Sequence, residues 1–489
     1  MRTRLAIVSL LALALVMGLL LAVQSRAVPL GVPGEWEWLR VPFGPNAIDL
    51  GLAALGCLAF AVFAGAGFRS LTRKPGFWRE AGWLSALAVV SVGIQGVVQS
   101  GAPVGYGLEK WVIALSQKGS NGYFNVARDE VHDLGSFLAA YPEWIKAQDA
   151  LHIGTHPPGL VATQALLLRA MEGDAAASRF VVEHAPDSVT QAFRYFDTRS
   201  PMPPPQRAAL VLTGLVALVC CGLTVVPLHL LARSNLSAAG AWSAAVLWPL
   251  LPSAILFQPT ADTAFPLVST AAMALAAWSV RCAQRKGLGL AALCGVSLGL
   301  AMQFTLAFLA VGLIVALVIL AGAGRTVGEK TRLILATGVG FLSVTGVVWL
   351  ATSANPWVIW WWNQKNHGRF YDEYPRSYRA WLIANPIELA VAIGLPATLW
   401  ATLAGFWPRH APRVSLAALV TLVLLTVSGR NLSEVARLWL PIMPALLVAA
   451  GFALERAGAG PKTIGWTVAL TATQSLGLQS MIQVVYPVS

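Results

Sequence analysis

Long apolar runs recur along the whole sequence and constrain the fold more than any other feature. The first extends from Leu5 to about Val23, and comparable runs continue to the C-terminal region. Each is long enough to cross roughly 30 Å of hydrocarbon as a helix. The 489 residues are 56% hydrophobic and only 11% charged, whereas soluble chains carry about 25% charged residues. The sequence therefore predicts an all-α polytopic membrane protein and excludes a soluble enzyme, a disordered chain and a disulfide scaffold.

The apolar runs predict about 13 transmembrane helices, and the basic residues between them predict their orientation. Basic clusters such as Arg69–Arg79 and Arg325–Arg332 fall on one side of the membrane under this count, as expected for cytoplasmic loops. This bias accounts for the net charge of +12 without a nucleic-acid partner. The first run is interpreted as a retained span, because its apolar core is longer than that of a typical signal peptide. The predicted spans lie near residues 1–23, 47–67, 82–100, 208–230, 236–255, 263–281, 288–302, 304–323, 333–352, 383–404, 414–428, 438–454 and 464–484.

Polar residues divide the chain into three predicted regions. Residues 1–100 form a three-span region, and residues 208–489 form a ten-span bundle with external loops at 353–382 and 429–437. Between them, residues 101–207 hold 11 of the 22 acidic residues and four of the seven histidines. We expect this segment to be an external domain of amphipathic helices, with 157–171 short or re-entrant. The three external segments share one face, which predicts a site at the outer membrane boundary.

An acidic motif in the external domain supplies candidates for a catalytic base. If 123–133 is one helix, Asp129 and Asp133 share a face, and Glu130 lies beside them. A carboxylate there can take a proton from a hydroxyl group or hold a divalent ion. The alternative is a solvated amphipathic helix, and the choice among the three acids stays open. Whether a metal ion takes part also stays open.

Four further motifs are candidates for binding an anionic substrate. His152 and His156 precede Pro157-Pro158, a pair that favours a helix start, and helix N-termini bind anions. Positive-inside bias disfavours a basic cluster in an external loop, so the one in 353–382 suggests a phosphate ligand. Glu434 and Arg437 share a predicted helical face with Arg430, and Asp262 lies alone between two spans. Structural roles as caps, ion pairs or interface aromatics are the alternatives. The candidate binding residues are His152, His156, Asp262, Lys365, His367, Arg369, Arg376, Glu434 and Arg437.

Two short motifs resemble the GT-C superfamily of integral-membrane glycosyltransferases. His156-Pro157-Pro158-Gly159 is similar to a Pro-Pro motif of that superfamily, and residues 436–441 resemble late segments of its bacterial members. The superfamily includes the protein O-mannosyltransferases and the aminoarabinose transferases of lipid A. The resemblance implies a GT-C-like fold with an acidic residue in the first large external loop. It also implies transfer of a sugar from a polyprenyl-phosphate donor to a hydroxyl of a glycan, lipid or protein acceptor. The location it implies is a bacterial inner membrane, with the active site facing the periplasm.

Three other functions fit parts of the pattern. A polysaccharide polymerase or ligase would also act on the external face. A lipid or solute transporter of the flippase kind would need polar groups at mid-membrane and an internal repeat, and the sequence shows neither. A scaffold that has lost activity is the third alternative.

Overall fold

The computed structural model describes residues 2–198 and 201–484, and its regular structure is almost entirely α-helical. The all-α polytopic class is confirmed by the helices that are long and apolar enough to cross a membrane. In the described part of the chain there are seven of them: Leu5–Gln24, Ala47–Leu71, Phe77–Ser100, Pro204–Arg233, Ala238–Leu256, Ala261–Arg281 and Val327–Thr352. An eighth would be the pair Tyr378–Ile393 and Leu395–Phe406, which meet at a bend of 106°.

The N-terminal region consists of three long helices and a small hairpin. Helices α1 (Arg2–Gln24), α2 (Ala47–Leu71) and α3 (Phe77–Ser100) follow one another. Between α1 and α2, strands β1 (Gly31–Val32) and β2 (Trp36–Glu37) form an antiparallel hairpin. Strand β3 (Leu39–Arg40) pairs with β4 (Ile482–Gln483), with Leu39 opposite Gln483. The segment after α1 is thereby tied to the end of the last helix.

Short helices fill the segment between α3 and the main bundle. Proline, glycine and capping acids divide this polar stretch, so no helix in it exceeds 15 residues. The N-cap Asp174, for example, accepts hydrogen bonds from the amides of Ala176 and Ala177, which separates the two helices on either side of it. The helices are α4 (Lys110–Ser116), α5 (Tyr123–Asp129), α6 (Leu134–Trp144), α7 (Gly159–Gly173), α8 (Ala175–Glu183) and α9 (Asp187–Asp197).

The rest of the chain forms the main helical bundle. Its helices are α10 (Pro204–Leu223), α11 (Val225–Arg233), α12 (Ala238–Ala245), α13 (Pro252–Leu256), α14 (Phe265–Arg281), α15 (Gln284–Ala301), α16 (Phe308–Leu320), α17 (Val327–Thr352), α18 (Pro356–Glu373), α19 (Tyr378–Ile393), α20 (Leu395–Leu403), α21 (Arg413–Ser428), α22 (Val435–Leu438), α23 (Met443–Arg456) and α24 (Pro461–Met481). Single 3₁₀ turns lie at Ile145–Ala147, Trp248–Leu250, Ala261–Thr263, Ala404–Phe406 and Pro408–His410.

Small residues allow the bundle helices to pack closely. Gly295 of α15 lies against the backbone of α17, where a Cβ atom would overlap the carbonyl oxygen of Thr337. Gly340 of α17 lies in the same way against Ala292 of α15. Helices in membranes associate through such close backbone contacts, because lipid supplies no hydrophobic drive between them. Packing of this kind, rather than a polar interior, holds α15 and α17 together.

The number of spans is where the sequence and the structure differ. Each of the thirteen predicted spans coincides with helical residues, but only the seven or eight above are long and apolar enough to cross alone. Helix α16 has 13 residues, and at 1.5 Å per residue it covers about 20 Å. The turns that flank such short helices are also apolar, so the predicted spans include both the helix and its turns. Helix α7, predicted as short or re-entrant, has 15 residues and is absent from the spanning set.

Candidate active site

A cavity of about 990 Å³ lies where the three polar segments of the sequence meet. Residues of 119–156, of α18 and of the segment 428–442 line it, together with part of the β1–β2 hairpin. The prediction that these remote segments build one site is therefore consistent with the fold. Seven of the predicted binding residues line this cavity: His152, His156, Lys365, His367, Arg376, Glu434 and Arg437.

Two asparagines of α18 hold the loop that carries the paired histidines. The Asn363 side chain donates hydrogen bonds of 3.0 Å to the carbonyl oxygens of Gly154 and His156. One turn later, Asn366 donates to the carbonyl oxygens of Gly154 and Ile145 at 3.0 and 3.1 Å. Both asparagines are buried. The basic helix α18 and the histidine loop are therefore joined by hydrogen bonds from buried side chains.

Glycine is required at two positions of the histidine motif. A Cβ atom on Gly154 would overlap the carbonyl oxygen of Asp149, and one on Gly159 would overlap that of Gln303. The Gly159 amide also donates to the Gln303 carbonyl at 2.9 Å. Helix α7 begins at Gly159, with Pro158 as its N-cap, two residues after the predicted start. Its first amide is thus used within the protein, so the predicted anion site at this helix start lacks that donor.

Arg437 lies between two carboxylates. Its Nη2 is 2.6 Å from Glu434 Oε2, and its Nε is 3.9 Å from Asp262 Oδ2. All three side chains are about four-fifths buried, with exposed fractions of 18% for Arg437 and 21% for each acid. Burial alone would lower the pKa of Arg437, but the two acids raise it. Asp262, a lone acid in the sequence, thereby joins the site through a smaller adjoining cavity of about 40 Å³.

The predicted helical face of Arg430, Glu434 and Arg437 is wrong. Helix α21 ends at Ser428, and Gly429 follows in the left-handed region at φ 65°. Ser433 and Glu434 also have positive φ, at 77° and 55°, and α22 begins only at Val435. Glu434 is the N-cap of α22 and contacts Arg437 three residues later, whereas Arg430 lies in the preceding loop.

The two histidines are held as neutral rings. His156 Nδ1 lies 2.8 Å from the carbonyl oxygen of His152, and a carbonyl only accepts, so Nδ1 carries the hydrogen. The neutral ring then leaves Nε2 as an acceptor. Burial lowers the pKa of His156, and it lowers the pKa of His152 to about 3 with help from Arg437 and His156. Neither ring contributes a positive charge near neutral pH.

The remaining basic residues lie on α18 and the turn after it. His367 Nε2 and the Tyr371 hydroxyl each donate to the Arg430 carbonyl at 2.9 Å, which fixes the loop 429–434. Lys365 Nζ lies 4.4 Å from the centre of the Trp362 ring. The Arg376 guanidinium lies 5.6 Å from that of Phe370. Aromatic faces thus hold both cations at the cavity wall.

Sequence reasoning missed Glu35, which lies in the hairpin turn and lines the cavity. Its carboxylate accepts from the Ser377 amide at 2.9 and 3.0 Å and from Trp381 Nε1 at 2.7 Å. Burial raises the pKa of Glu35, but these hydrogen bonds and the charge of Arg376 outweigh it and hold the pKa below its usual value. The run of glutamate and tryptophan at 35–38 was the available signal, and it resembles an ordinary interfacial belt.

The three acids predicted as bases do not line the cavity. Helix α5 ends at Asp129, and Asp133 is the N-cap of α6, so the shared helical face of Asp129 and Asp133 is wrong. Asp129 pairs with Arg128 at 2.6 Å, and Asp133 accepts from the Ser136 amide at 2.7 Å. Glu130 accepts from Trp144 Nε1 at 2.9 Å. Each acid has a local structural partner, and all three are exposed.

Arg369 is also outside the cavity lining. Its Nη2 lies 3.1 Å from Glu373 Oε1, one helical turn away. An arginine and a glutamate spaced i, i+4 on a helix commonly pair in this way. Lys365, Arg376, Arg430 and Arg437 therefore remain as the cationic residues that line the cavity.

Part of the cavity lining is aliphatic. Leu306, Leu309 and Ala310, at and just before the start of α16, line it together with Leu425 of α21. Cationic and aliphatic side chains thus line the same space, a combination suited to a ligand with an anionic head and an apolar tail. No group of three or more His, Cys, Asp or Glu side chains placed to hold a metal ion occurs within 2–198 and 201–484.

The chain is similar to ArnT from Cupriavidus metallidurans. The two share 18% sequence identity with a TM-score of 0.41, and the likeness covers 76% of this chain and 60% of ArnT, whose crystal structure is in the apo state. The chain thus spans less than two thirds of the length of ArnT. No protein-family model and no curated protein matches the sequence.

Proposed function

We propose that the protein is a membrane glycosyltransferase that moves a sugar from a polyprenyl-phosphate donor to an acceptor hydroxyl. The observation that carries this proposal is the cavity of about 990 Å³, whose lining combines Lys365, Arg376, Arg430 and Arg437 with an aliphatic wall. A phosphate head group fits the guanidinium and ammonium groups. The isoprenoid chain fits the wall formed by α16 and α21.

The carboxylates beside Arg437 supply the chemistry for a direct displacement. Glu434 lines the large cavity, and its Oε2 lies 2.6 Å from Nη2 of Arg437. We assign Glu434 as the general base. It takes the proton of the acceptor hydroxyl as that oxygen bonds to the anomeric carbon of the sugar. The bond between this carbon and the phosphate oxygen breaks, and its electron pair leaves with the lipid phosphate, whose charge Arg437 stabilises. Asp262 positions Arg437 from the other side.

Consumption of the donor tests the function. Purified protein in vesicles is supplied with a panel of polyprenyl-phosphate sugars and with a lipid and glycan extract as acceptor source. The proposal expects release of polyprenyl phosphate together with a labelled product from at least one donor. Binding of every donor without release would contradict a transferase, and transport of intact donor across the vesicle would support a flippase instead.

We further propose that the cavity faces the exterior, as the periplasm in a bacterial inner membrane. The basic clusters at 69–79 and 325–332 support this orientation, because they are separated in sequence from the cavity segments by apolar helices. Single cysteines introduced at 110–198, 360–378 and 430–434 should react with an impermeant reagent added outside. Those at 69–79 and 325–332 should react only after permeabilisation, and the opposite pattern would reverse the orientation.

A further inference from the structure

The loop that carries Glu434 and Arg437 is held from behind by two polar side chains of α19. Asn385 donates through Nδ2 to the Asn431 carbonyl at 2.7 Å. Glu388, three residues later on the same helix, accepts from the Ala436 amide through Oε1 at 3.0 Å. The two bonds lie on either side of Glu434 in the sequence, and each is made across the interface between α19 and the loop.

Between these two bonds the backbone is strained. Ser433 and Glu434 both have positive φ, at 77° and 55°, a region that side-chain-bearing residues rarely adopt. Such backbone persists only where its surroundings fix it, and it is common at functional sites. The strained pair lies between the Asn431 carbonyl and the Ala436 amide, which are the two groups that α19 holds. The turn aims Glu434 at Arg437, at 2.6 Å.

Asn385 and Glu388 are otherwise poorly satisfied. Asn385 is fully buried, and among the described residues its Oδ1 is a buried atom without a hydrogen-bond partner, as is Oε2 of Glu388. Buried polar groups are rarely left in this state. Apolar residues at both positions would avoid the desolvation penalty, so the two side chains have a use that outweighs it. Neither lines the large cavity, which separates them from direct contact with a ligand there.

We propose that Asn385 and Glu388 are positioning residues that clamp the strained turn and so set the geometry of Glu434 and Arg437. The clamp requires a donor at position 385 and an acceptor at position 388. This assignment rests on the proposed function for its catalytic consequence, but the clamp itself is a property of the fold. Loss of either bond lets the turn relax toward ordinary φ values and moves Glu434 away from the cavity.

The clamp can be tested with substitutions that change the donor or the acceptor but change the shape of the side chain little. Glu388→Gln keeps an acceptor for the Ala436 amide, whereas Glu388→Leu removes it. Asn385→Asp keeps the shape but replaces the donor by an acceptor facing the Asn431 carbonyl. Ile387→Ala serves as the helix control, because Ile387 lies between the two on α19 and is 60% exposed. Thermal stability of each purified variant identifies any that fails to fold.

Hydrogen exchange measures the clamp without reference to activity. In the parent protein, Glu388→Gln and Ile387→Ala, the peptide that contains Ala436 should exchange slowly. In Glu388→Leu and Asn385→Asp it should exchange at least tenfold faster, with the long helices unchanged. Equal exchange in all five proteins would overturn the clamp, even if the protein proves to be no transferase.

Turnover then tests the catalytic consequence. A misplaced catalytic group can cost about 10²-fold in rate, so Glu388→Leu and Asn385→Asp should lower kcat to that extent with little change in KM for the donor. Glu388→Gln should restore it. If Glu388→Leu raises exchange at Ala436 but leaves kcat at the parent value, the clamp stands and its role in positioning Glu434 is wrong. If the parent itself turns over no donor, the proposed function fails and the exchange result decides the clamp alone.

Discussion

Nη2 of Arg437 lies 2.6 Å from Oε2 of Glu434, and this pair lines the cavity that the three polar segments enclose. The contact joins the N-cap residue of α22 to a residue of that helix, directly after a turn with two positive φ angles. It places a carboxylate next to a cation whose side chain is about four-fifths buried. In the proposed mechanism, the base and the group that stabilises the leaving anion are thus adjacent.

The position of Glu434 predicts which acid matters for turnover. Glu434→Gln keeps the shape and removes the base, so turnover should fall by roughly 10²–10⁴. Asp129→Asn and Asp133→Asn should turn over like the parent, because both acids lie outside the cavity and asparagine still caps a helix. Steady-state rates of donor consumption make the comparison. A large loss in either Asp variant with an unaffected Glu434→Gln would return the base to α5 and α6.

The packing of Gly159 predicts a local requirement for glycine. Gly159→Ala should destabilise the protein by about 1–3 kcal/mol, because its methyl group overlaps the Gln303 carbonyl. Gly173→Ala is the matched control at the other end of α7, where no atom of the described residues lies within 4 Å of an added Cβ. Thermal unfolding in the same detergent should separate the two variants. Equal unfolding temperatures would show that α7 shifts freely at its start.

The lowered pKa values of the histidines predict how stability depends on pH. His152 has a pKa of about 3 in the folded protein, against about 6.5 in an unfolded chain. Between these values the unfolded state binds a proton that the folded state does not, so stability falls as the pH decreases from about 6.5 towards 3. The slope for one such group is about 1.4 kcal/mol per pH unit.

His152→Gln removes this titration, and so should unfold at a temperature that depends less on pH in that range. The pKa of His156 is lowered in the same direction, and therefore some dependence should remain. Unfolding temperatures at pH 4.5 and 7 for the parent and the variant give the measurement. An unchanged difference between the two pH values would mean that His152 is accessible to protons in the folded state.

Features that depend on composition could be predicted from the sequence, whereas features that depend on the position of a single turn could not. Apolar runs predict the membrane class. The distribution of polar and charged residues assigns 101–207, 353–382 and 429–437 to one site. The histidine pair and Arg437 were found because polar residues at the end of an apolar bundle are unusual. These signals survive small errors in helix boundaries.

Errors arose where one residue changes the direction of the chain. The capping acid Asp133 starts a new helix, so spacing along one helix gave the wrong face for Asp129. Gly429 and the two positive φ angles that follow broke the predicted face of Arg430 and Glu434 in the same way. Glu35 reaches the cavity through contacts with Ser377 and Trp381, more than three hundred residues away in sequence. No local pattern encodes such a contact.

Binding of polyprenyl phosphate to the purified protein, followed by native mass spectrometry, tests the central claim most directly. Lys365→Ala and Arg376→Ala each remove a cation from the cavity lining, and a lost charge-assisted hydrogen bond costs about 1.5–3 kcal/mol. The account predicts roughly 10- to 100-fold weaker binding in each variant. Arg379→Ala, an exposed residue outside the lining, should bind like the parent. Equal binding by all four proteins would contradict the assignment of this cavity to a lipid-linked phosphate.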